Sequence, residues 1–162
     1  MAYKQVTRPL NSNDSSVADQ LGQVQADGSN GKLYKYVKVV DLALQKGDSV
    51  ELASATYSYI VSKDRSGGSV ISGRGVVGVA VATVSVGQYG YVQVGGQMDE
   101  VRCDGGVAAG DYLIPHASQD GRADTTTTAA GIERTIFGRA LAADSTATST
   151  TAVAKVLLKN MI

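Results

Sequence analysis

The chain has 162 residues and a formal net charge of zero, with 15 basic and 15 acidic residues mixed along its length. That length suits one domain with a real core, and the lack of a basic stripe argues against a nucleic-acid-binding protein. One cysteine excludes an intrachain disulfide, and the longest apolar run, from Val76 to Ala82, is too short to cross a bilayer.

Residues 1–31 are rich in Asn, Ser, Gln, Asp and Gly, with apolar residues scattered singly. This composition predicts an extended N-terminal arm that packs little by itself. The start, MAYKQVTRPLNSND, lacks the apolar core of a secretory signal, so we expect a soluble protein made in a cytosol. Residues 27–31 look like a calcium loop, but the closing glutamate is replaced by Lys38, so no metal site is expected.

From Lys32 onward the chain is dense in Val, Ala and Tyr, and it predicts a mainly β domain over residues 32–162. KLYKYVKVVDLAL (32–44) predicts a first strand, KGDSVELAS (46–54) a turn and a second strand, and TYSYIVS (56–62) an alternating third. GVVGVAVATVSV (75–86) predicts one long strand with both faces covered, as in a sandwich, a barrel or a subunit interface. GYVQVGG (90–96) is its expected antiparallel partner.

The second half carries DYLIPHA (111–117), a Thr-rich turn ADTTTTAAG (123–131), and a closing strand AVAKVLLKNM (152–161). Three short matches recur in one order at nearly one offset. They are Gly47-Asp48 with Gly110-Asp111, VGVAVA (77–82) with FGRALA (137–142), and Val92-Gln-Val94 with Ala154-Lys-Val156. We infer an internal duplication, with repeats at 46–96 and 109–159.

The stretch DGGVAAGDY (104–112) has the glycine spacing of a phosphate-binding loop. A phosphate loop needs a lysine and a hydroxyl residue next, and then a helix whose N-terminal amides face the anion. Asp111 and Tyr112 stand there instead, and a strand is expected to follow, so this stretch is interpreted as a turn.

Two other motifs allow a chemical reading and a plainer one. Gly73 to Gly78 fits the dinucleotide pattern G-x-G-x-x-G, with Asp99 near the place of a ribose-binding acid, but a strand rather than a helix is expected next. Cys103 and His116 could form a nucleophile and base, oriented by Asp104 or Asp111. Their spacing favours the plainer reading of a buried cysteine and an exposed histidine, so we expect no catalytic residue and no cofactor.

Six tyrosines form pairs two residues apart, so the members of each pair share one face of a strand: Tyr34 and Tyr36, Tyr57 and Tyr59, Tyr89 and Tyr91. Such pairs could stack sugars or bases on an exposed sheet. In a core otherwise built of Val and Ala, cross-strand packing is the favoured interpretation.

The ordered elements resemble bacteriophage head-decoration, or capsid-cement, proteins. The resemblance is carried by the Gly-Asp turn with its strand (47–53), by VVGVAVATVSVGQYGYVQVGG (76–96), by AGDYL (109–113), by IFGRALAADST (136–146), and by the closing AVAKVLLKN. It implies a compact β-barrel or sandwich-like domain without catalytic, cofactor or metal sites. It also implies that the chain is made in the bacterial host cytoplasm and binds the outer capsid surface of the virion.

The resemblance further implies a homotrimer that bridges neighbouring major capsid subunits and resists their separation, with no nucleic acid or membrane as partner. The capsid-contacting residues are then expected in the N-terminal arm: Tyr3, Lys4, Gln5, Val6, Thr7, Arg8, Pro9 and Leu10. Two alternatives stay open, a phage fibre, tail or baseplate component and a glycan-binding module that uses the tyrosine pairs.

Overall fold

The computed structural model describes residues 4–5, 10–15, 21–27, 30–64, 75–126, 135–143 and 153–159. These residues form eleven strands and no helix, which confirms the prediction of a mainly β fold. The strands are β1 Lys4–Gln5, β2 Val24–Ala26, β3 Leu33–Val39, β4 Ser49–Leu52, β5 Ile60–Ser62, β6 Val76–Ala80, β7 Tyr89–Arg102, β8 Tyr112–Pro115, β9 Ala123–Thr126, β10 Gly138–Ala140 and β11 Val153–Leu158.

Five strands close into a barrel, in the order β5, β4, β6, β7 and β3. The neighbours are antiparallel except at the closing pair, where β3 and β5 run parallel with Val39 opposite Val61. These five strands are called the first set of strands. Its interior holds nine buried apolar side chains: Val37, Val39, Leu44, Val50, Val61, Ala80, Val84, Val92 and Val94.

A second set has the order β9, β8, β10, β11 and β7, and its strands are joined by antiparallel ladders. Its end strands meet at one parallel bridge, between Cys103 just after β7 and Ala123 in β9. A second buried cluster fills it, including Leu113, Phe137 and Val156. The two sets therefore follow one pairing scheme.

Strand β7 belongs to both sets. Its first half pairs with β3, from Tyr89 to Gly95, and its second half pairs with β11, from Gly96 to Arg102. At 14 residues it is the longest strand in the described part of the chain. One continuous strand therefore holds the two sets together.

The pairing register corrects one of the sequence matches. Ala80 lies opposite Val92 in the first set, and Ala140 lies opposite Val156 in the second. Val156, and not Ala154, is thus the counterpart of Val92. The two sequence matches differ because Val156 follows Ala140 by 16 positions, whereas Val92 follows Ala80 by 12 positions. The duplication itself, and the division of the chain at residue 31, stay predictions.

Three turns have one geometry, and they include the stretch with phosphate-loop spacing. Each ends in a glycine with positive φ, Gly47 (86°), Gly87 (79°) and Gly110 (96°), and a strand begins two residues after each glycine. Each glycine N–H donates to a backbone carbonyl of a neighbouring strand, at Ala80, Val39 and Ala140 respectively. A residue with a Cβ is strained at such φ, so glycine is required there. The interpretation of DGGVAAGDY as a turn before a strand is confirmed.

Several predicted elements were wrong in extent, and the first strand, expected within 32–44, ends at Val39. The strand expected over 75–86 ends at Ala80, because the chain then enters the turn that contains Gly87. The alternating segment 56–62 is a strand only from Ile60, since the Ser54 hydroxyl accepts the N–H groups of Thr56 and Tyr57 and holds them in a turn. The Thr-rich segment expected to be a turn begins with strand β9.

The described residues of the predicted arm lie against the sheet, which corrects the expectation that this segment packs little. Strand β2 pairs with β3, β1 runs parallel to β2, and Asp14 exchanges two backbone hydrogen bonds with Tyr89. The reason is local: Leu10 and Leu21 find an apolar surface on β3 and β7. Backbone pairing and burial together offset the entropy cost of ordering the segment.

Candidate interaction surface

The predicted arm site, Tyr3 to Leu10, is only partly described. Lys4 and Gln5 are in β1, and their backbones pair with Gln25 and Ala26. Leu10 is half-buried and packs on the chain's own tyrosines. Tyr3 and residues 6–9 lie outside the described residues, so capsid contact through the arm stays a prediction.

The tyrosine pairs on β3 and β7 form one packed cluster. The ring centroids of Tyr36 and Tyr91 are 5.0 Å apart, and those of Tyr36 and Tyr89 are 6.2 Å apart. Tyr34, Tyr36 and Tyr91 are buried, and the Tyr36 hydroxyl donates to Asp14 Oδ2 at 2.5 Å. Cross-strand packing is confirmed for these pairs, and the buried rings of Tyr34, Tyr36 and Tyr91 are not available to stack a sugar.

The third pair has a different environment. Tyr57 and Tyr59 lie in the turn before β5 with ring centroids 5.4 Å apart, and Tyr57 is 49% exposed. They are not on a strand, which corrects the sequence interpretation. Of the three pairs, this one alone offers an exposed aromatic surface to a ligand.

Next to the tyrosine cluster lies a cavity of about 230 Å³. Its walls combine apolar side chains, including Leu10, Val81 and Met98, with a charged rim. Two ion pairs lie on the rim: Lys46 with Glu100 at 2.8 Å and Lys32 with Asp99 at 3.5 Å. Each cation is thus matched by an acid, so the cavity has no charge preference for a ligand.

The pKa values of Tyr34 and Asp99, which line this cavity, are shifted in opposite directions. Burial, and then the negative charges of Asp27 and Asp99, raise the pKa of the Tyr34 hydroxyl to about 12. A hydrogen bond from the Gln97 amide, and then the charge of Lys32, lower the pKa of Asp99. Tyr34 is therefore a neutral donor and Asp99 a charged acceptor near pH 7.

A buried carboxylate at the junction of the two sets was not found by sequence reasoning. The side chain of Asp48 is fully buried, and it binds Lys63 Nζ at 2.7 Å and Arg102 at 2.9 Å. Its Oδ2 also accepts the N–H of Gln45 at 2.8 Å. Gly121 of the second set packs on it so closely that an added Cβ would lie 2.8 Å from Asp48 Cγ. The Gly-Asp dipeptide indicated the turn, but its partners lie 15 and 54 residues away.

The residues weighed as a catalytic pair are only partly brought together. Asp104 Oδ2 lies 3.1 Å from His116 Nε2, and His116 Nδ1 accepts the N–H groups of Ser118 and Gln119. The Cys103 thiol is buried, as predicted, and contacts the carbonyl of Val101 at 3.5 Å. The His116 side chain is only 18% exposed, which corrects the expectation of an exposed histidine. The geometry fits a structural Asp–His contact that holds the loop before β9.

The described ranges hold neither a metal-binding cluster nor a membrane-spanning helix. They contain no group of three or more His, Cys, Asp or Glu residues placed to hold a metal ion. They also contain no helix long and apolar enough to cross a membrane.

Comparison with known proteins supports the fold. No family model matches this chain, and no curated protein does. Among solved structures, the chain is similar to the N base of the head fiber protein gp8.5 of bacteriophage phi29. The TM-score is 0.52 and the sequence identity 14%, over 80% of this chain and 95% of that chain. At this identity the likeness shows a shared fold.

Proposed function

We propose that the chain is a structural protein of a bacteriophage virion that binds the outer surface of the capsid. The observation that carries the proposal is the shared architecture with the N base of a phage head fiber, which extends over 95% of that chain. The resemblance to head-decoration proteins, drawn from the turns and strands at 47–53, 76–96 and 109–113, favours the same location independently.

In the finer form of the proposal, the protein is a homotrimer that bridges neighbouring major capsid subunits. A cement of this kind acts by contact area alone, and its action is mechanical. A β-unit with ladder-paired strands and a shared central strand suits this task, since bridging needs a body that does not deform. Catalysis has no part in the proposal, and the Asp104–His116 contact is assigned to the stability of its loop.

A second candidate is the base of a head fibre, which the comparison favours over the tail and baseplate alternatives. A decoration protein and a fibre base both bind the head, but they differ in copy number. Bridging shell subunits requires copies comparable in number to the shell protein, whereas a fibre base is needed only where a fibre stands.

Copy number in purified virions tests the proposal. The chain is quantified against the major capsid protein by mass spectrometry with labelled reference peptides from both proteins. A ratio near one per capsid subunit is expected for the cement role, and a few copies per particle would assign the fibre base. Absence from virions would overturn both.

The glycan-binding alternative has its own test. Only the Tyr57 and Tyr59 pair retains an exposed ring, so Tyr57→Ala should abolish any glycan binding on an array if that function exists. Wild-type protein that binds no glycan on the array removes the alternative.

A further inference from the structure

The outer face of the second set carries a row of four side chains in register. Antiparallel partners share one face of a sheet, and Leu113 and Leu158 beside this row point into the core. The row therefore points away from the core. Its members are Tyr112 on β8, Arg139 on β10, Leu157 on β11 and Gln97 on β7.

The corresponding row of the first set is covered. Its members, paired in the same way, are between 0% and 3% exposed: Ser49, Val79, Gln93 and Tyr34. The second set supplies much of the cover, since the Ser49 hydroxyl donates to the carbonyl of Gly121 and the Gln93 amide donates to that of Gln97. In the first set, this face is thus an interface.

In the second set the same face is exposed and has an apolar centre. Leu157 is 51% exposed and Leu141 is 45% exposed. The N–H of Leu141 donates to the carbonyl of Lys155, while Leu157 lies opposite Arg139, so the two leucines are diagonal neighbours. Among the described residues, Tyr57 and Val86 are the other exposed large apolar side chains, and both lie in the first set.

The charges around these leucines are mainly positive. Arg139, Lys155 and Lys159 are exposed, and the Arg139 guanidinium lies 5.7 Å from the centre of the Tyr112 ring. Among the described residues, Asp99 lies 3.8 Å from Lys155 and 3.5 Å from Lys32, so it is shared between these two lysines. Asp124 stands at the β9 edge of the face. An occupant that complements this face has an apolar side chain flanked by carboxylates.

We propose that this surface, here called the Leu157 face (Tyr112, Arg139, Leu141, Lys155, Leu157 and Lys159), binds an acidic patch with an apolar centre on the phage shell protein. The assignment rests on the proposed function and deepens it, because it identifies the contact surface on the folded domain. The equivalent face of the first set is already covered by the second set. The positive side chains of the Leu157 face favour an acidic partner.

Binding to heads that lack this protein tests the assignment. Leu157→Asp places a carboxylate at the centre of the face, and we expect at least a tenfold loss of affinity in co-sedimentation with purified heads. Val86→Asp is the matched control, because Val86 is 50% exposed and lies in a turn of the first set. It should bind like wild type. Lys155→Glu should also weaken binding, and the wild-type affinity should fall as salt rises.

Each outcome is decisive. Equal binding by wild type, Leu157→Asp and Val86→Asp would overturn the Leu157 face while leaving the proposed function in place. A wild type that does not bind heads would overturn the proposed function itself. If sedimentation shows that the wild type self-associates and Leu157→Asp does not, the occupant is a second copy, and the shell protein is the wrong partner.

Discussion

Asp48 and Asp111 stand at the same position of two equivalent turns, yet their surroundings differ. Each carboxylate accepts a backbone N–H three residues earlier, from Gln45 and Ala108 respectively, at 2.8 Å. Asp48 alone is fully buried, and its oxygens also bind Lys63 and Arg102. Removing one partner of a buried ion pair leaves an uncompensated charge, which costs far more than the pair itself contributes.

We therefore expect Asp48→Asn to lower the free energy of unfolding by about 3–5 kcal/mol, because two largely buried cations lose their counter-charge. Asp111→Asn is the matched control and should cost less than about 1 kcal/mol, because the Asn amide oxygen can still accept the Ala108 N–H. Urea denaturation of both variants measures the difference. Equal losses would show that the ion pairs of Asp48 with Lys63 and Arg102 contribute nothing.

Tyr34 gives stability a dependence on alkaline pH. Burial and nearby carboxylates raise the pKa of Tyr34 from 10.0 to about 12, so the folded state holds this proton more tightly than the unfolded state. The contribution is fully present below pH 10.0 and is lost as pH rises through about 12. Tyr34→Phe should remove this part of the loss.

The measurement is the free energy of unfolding of wild type and Tyr34→Phe at points across that range. Stability of the wild type should fall more steeply with pH than that of the variant. Parallel curves would show that Tyr34 titrates alike in the folded and unfolded chains.

Contacts between neighbouring strands explain two glycines that are not in turns. A Cβ at Gly78 would lie 2.6 Å from Val92 Cγ2, and one at Gly138 would lie 2.4 Å from Val156 Cγ1. In both sets a valine thus fills the space above a glycine on the adjacent strand. The same glycine–valine contact therefore occurs at equivalent positions of the two sets, between β6 and β7 and between β10 and β11.

Gly78→Ala should destabilise the protein by about 1–3 kcal/mol through overpacking against Val92. Val92→Ala should also destabilise, because it leaves a cavity. The double variant should lose less than the sum of the single losses, since the new methyl group occupies space that the valine vacates. Thermal unfolding of the wild type, the two single variants and the double variant measures the four stabilities of this double-mutant cycle. A loss in the double variant equal to the sum of the single losses would contradict a direct contact between Gly78 and Val92.

Element types were predictable from the sequence where local patterns determine them. The alternation of Tyr34 and Tyr36 indicated β3, and Gly47 and Gly110 indicated two turns. The extent of β6 was not predictable, because the residues after Ala80 are as apolar as those within it. Strand β6 ends because the segment after it pairs with another turn. The backbone of Val84 forms an antiparallel bridge with Leu44, which lies in the turn before β4.

At the scale of the whole molecule, the two sets are joined by more than the continuous chain. The Ser49 hydroxyl of the first set donates to the carbonyls of Gly121 and Arg122, at 3.2 Å and 3.3 Å, and the N–H of Gly121 donates to the carbonyl of Lys63. Strand β7 contributes to both interiors. Such coupling favours a single cooperative transition.

Two probes can follow the sets separately during urea unfolding. The buried tyrosine cluster reports the first set, and the buried thiol of Cys103, the single cysteine, reports the second. Tyrosine fluorescence and thiol labelling should give coincident midpoints. A thiol that becomes reactive at lower urea than the tyrosine transition would show that the second set opens alone. Cys103→Ser supplies the labelling blank.

The candidate surfaces were the least predictable part. The sequence pattern drew attention to residues 3–10, whereas the Leu157 face depends on residues of β8, β10 and β11 that the sheet brings together from positions 112 to 159. Burial of Tyr34, Tyr36 and Tyr91 was predictable, since no other large rings except Phe137 were present to fill a core. Which leucines stay exposed depends on which face the second set covers, and that is a property of the assembled sheet.

Strand β7 also determines how the molecule would carry a mechanical load. A pull that separates the two sets is directed along the backbone of this one strand, which is held by β3 on one half and by β11 on the other. Ladder hydrogen bonds lie perpendicular to the strand direction, so such a pull shears many of them at once and does not peel them one by one. The load between the two sets is thus carried by the covalent backbone of β7, whose two halves are held by the hydrogen bonds to β3 and to β11.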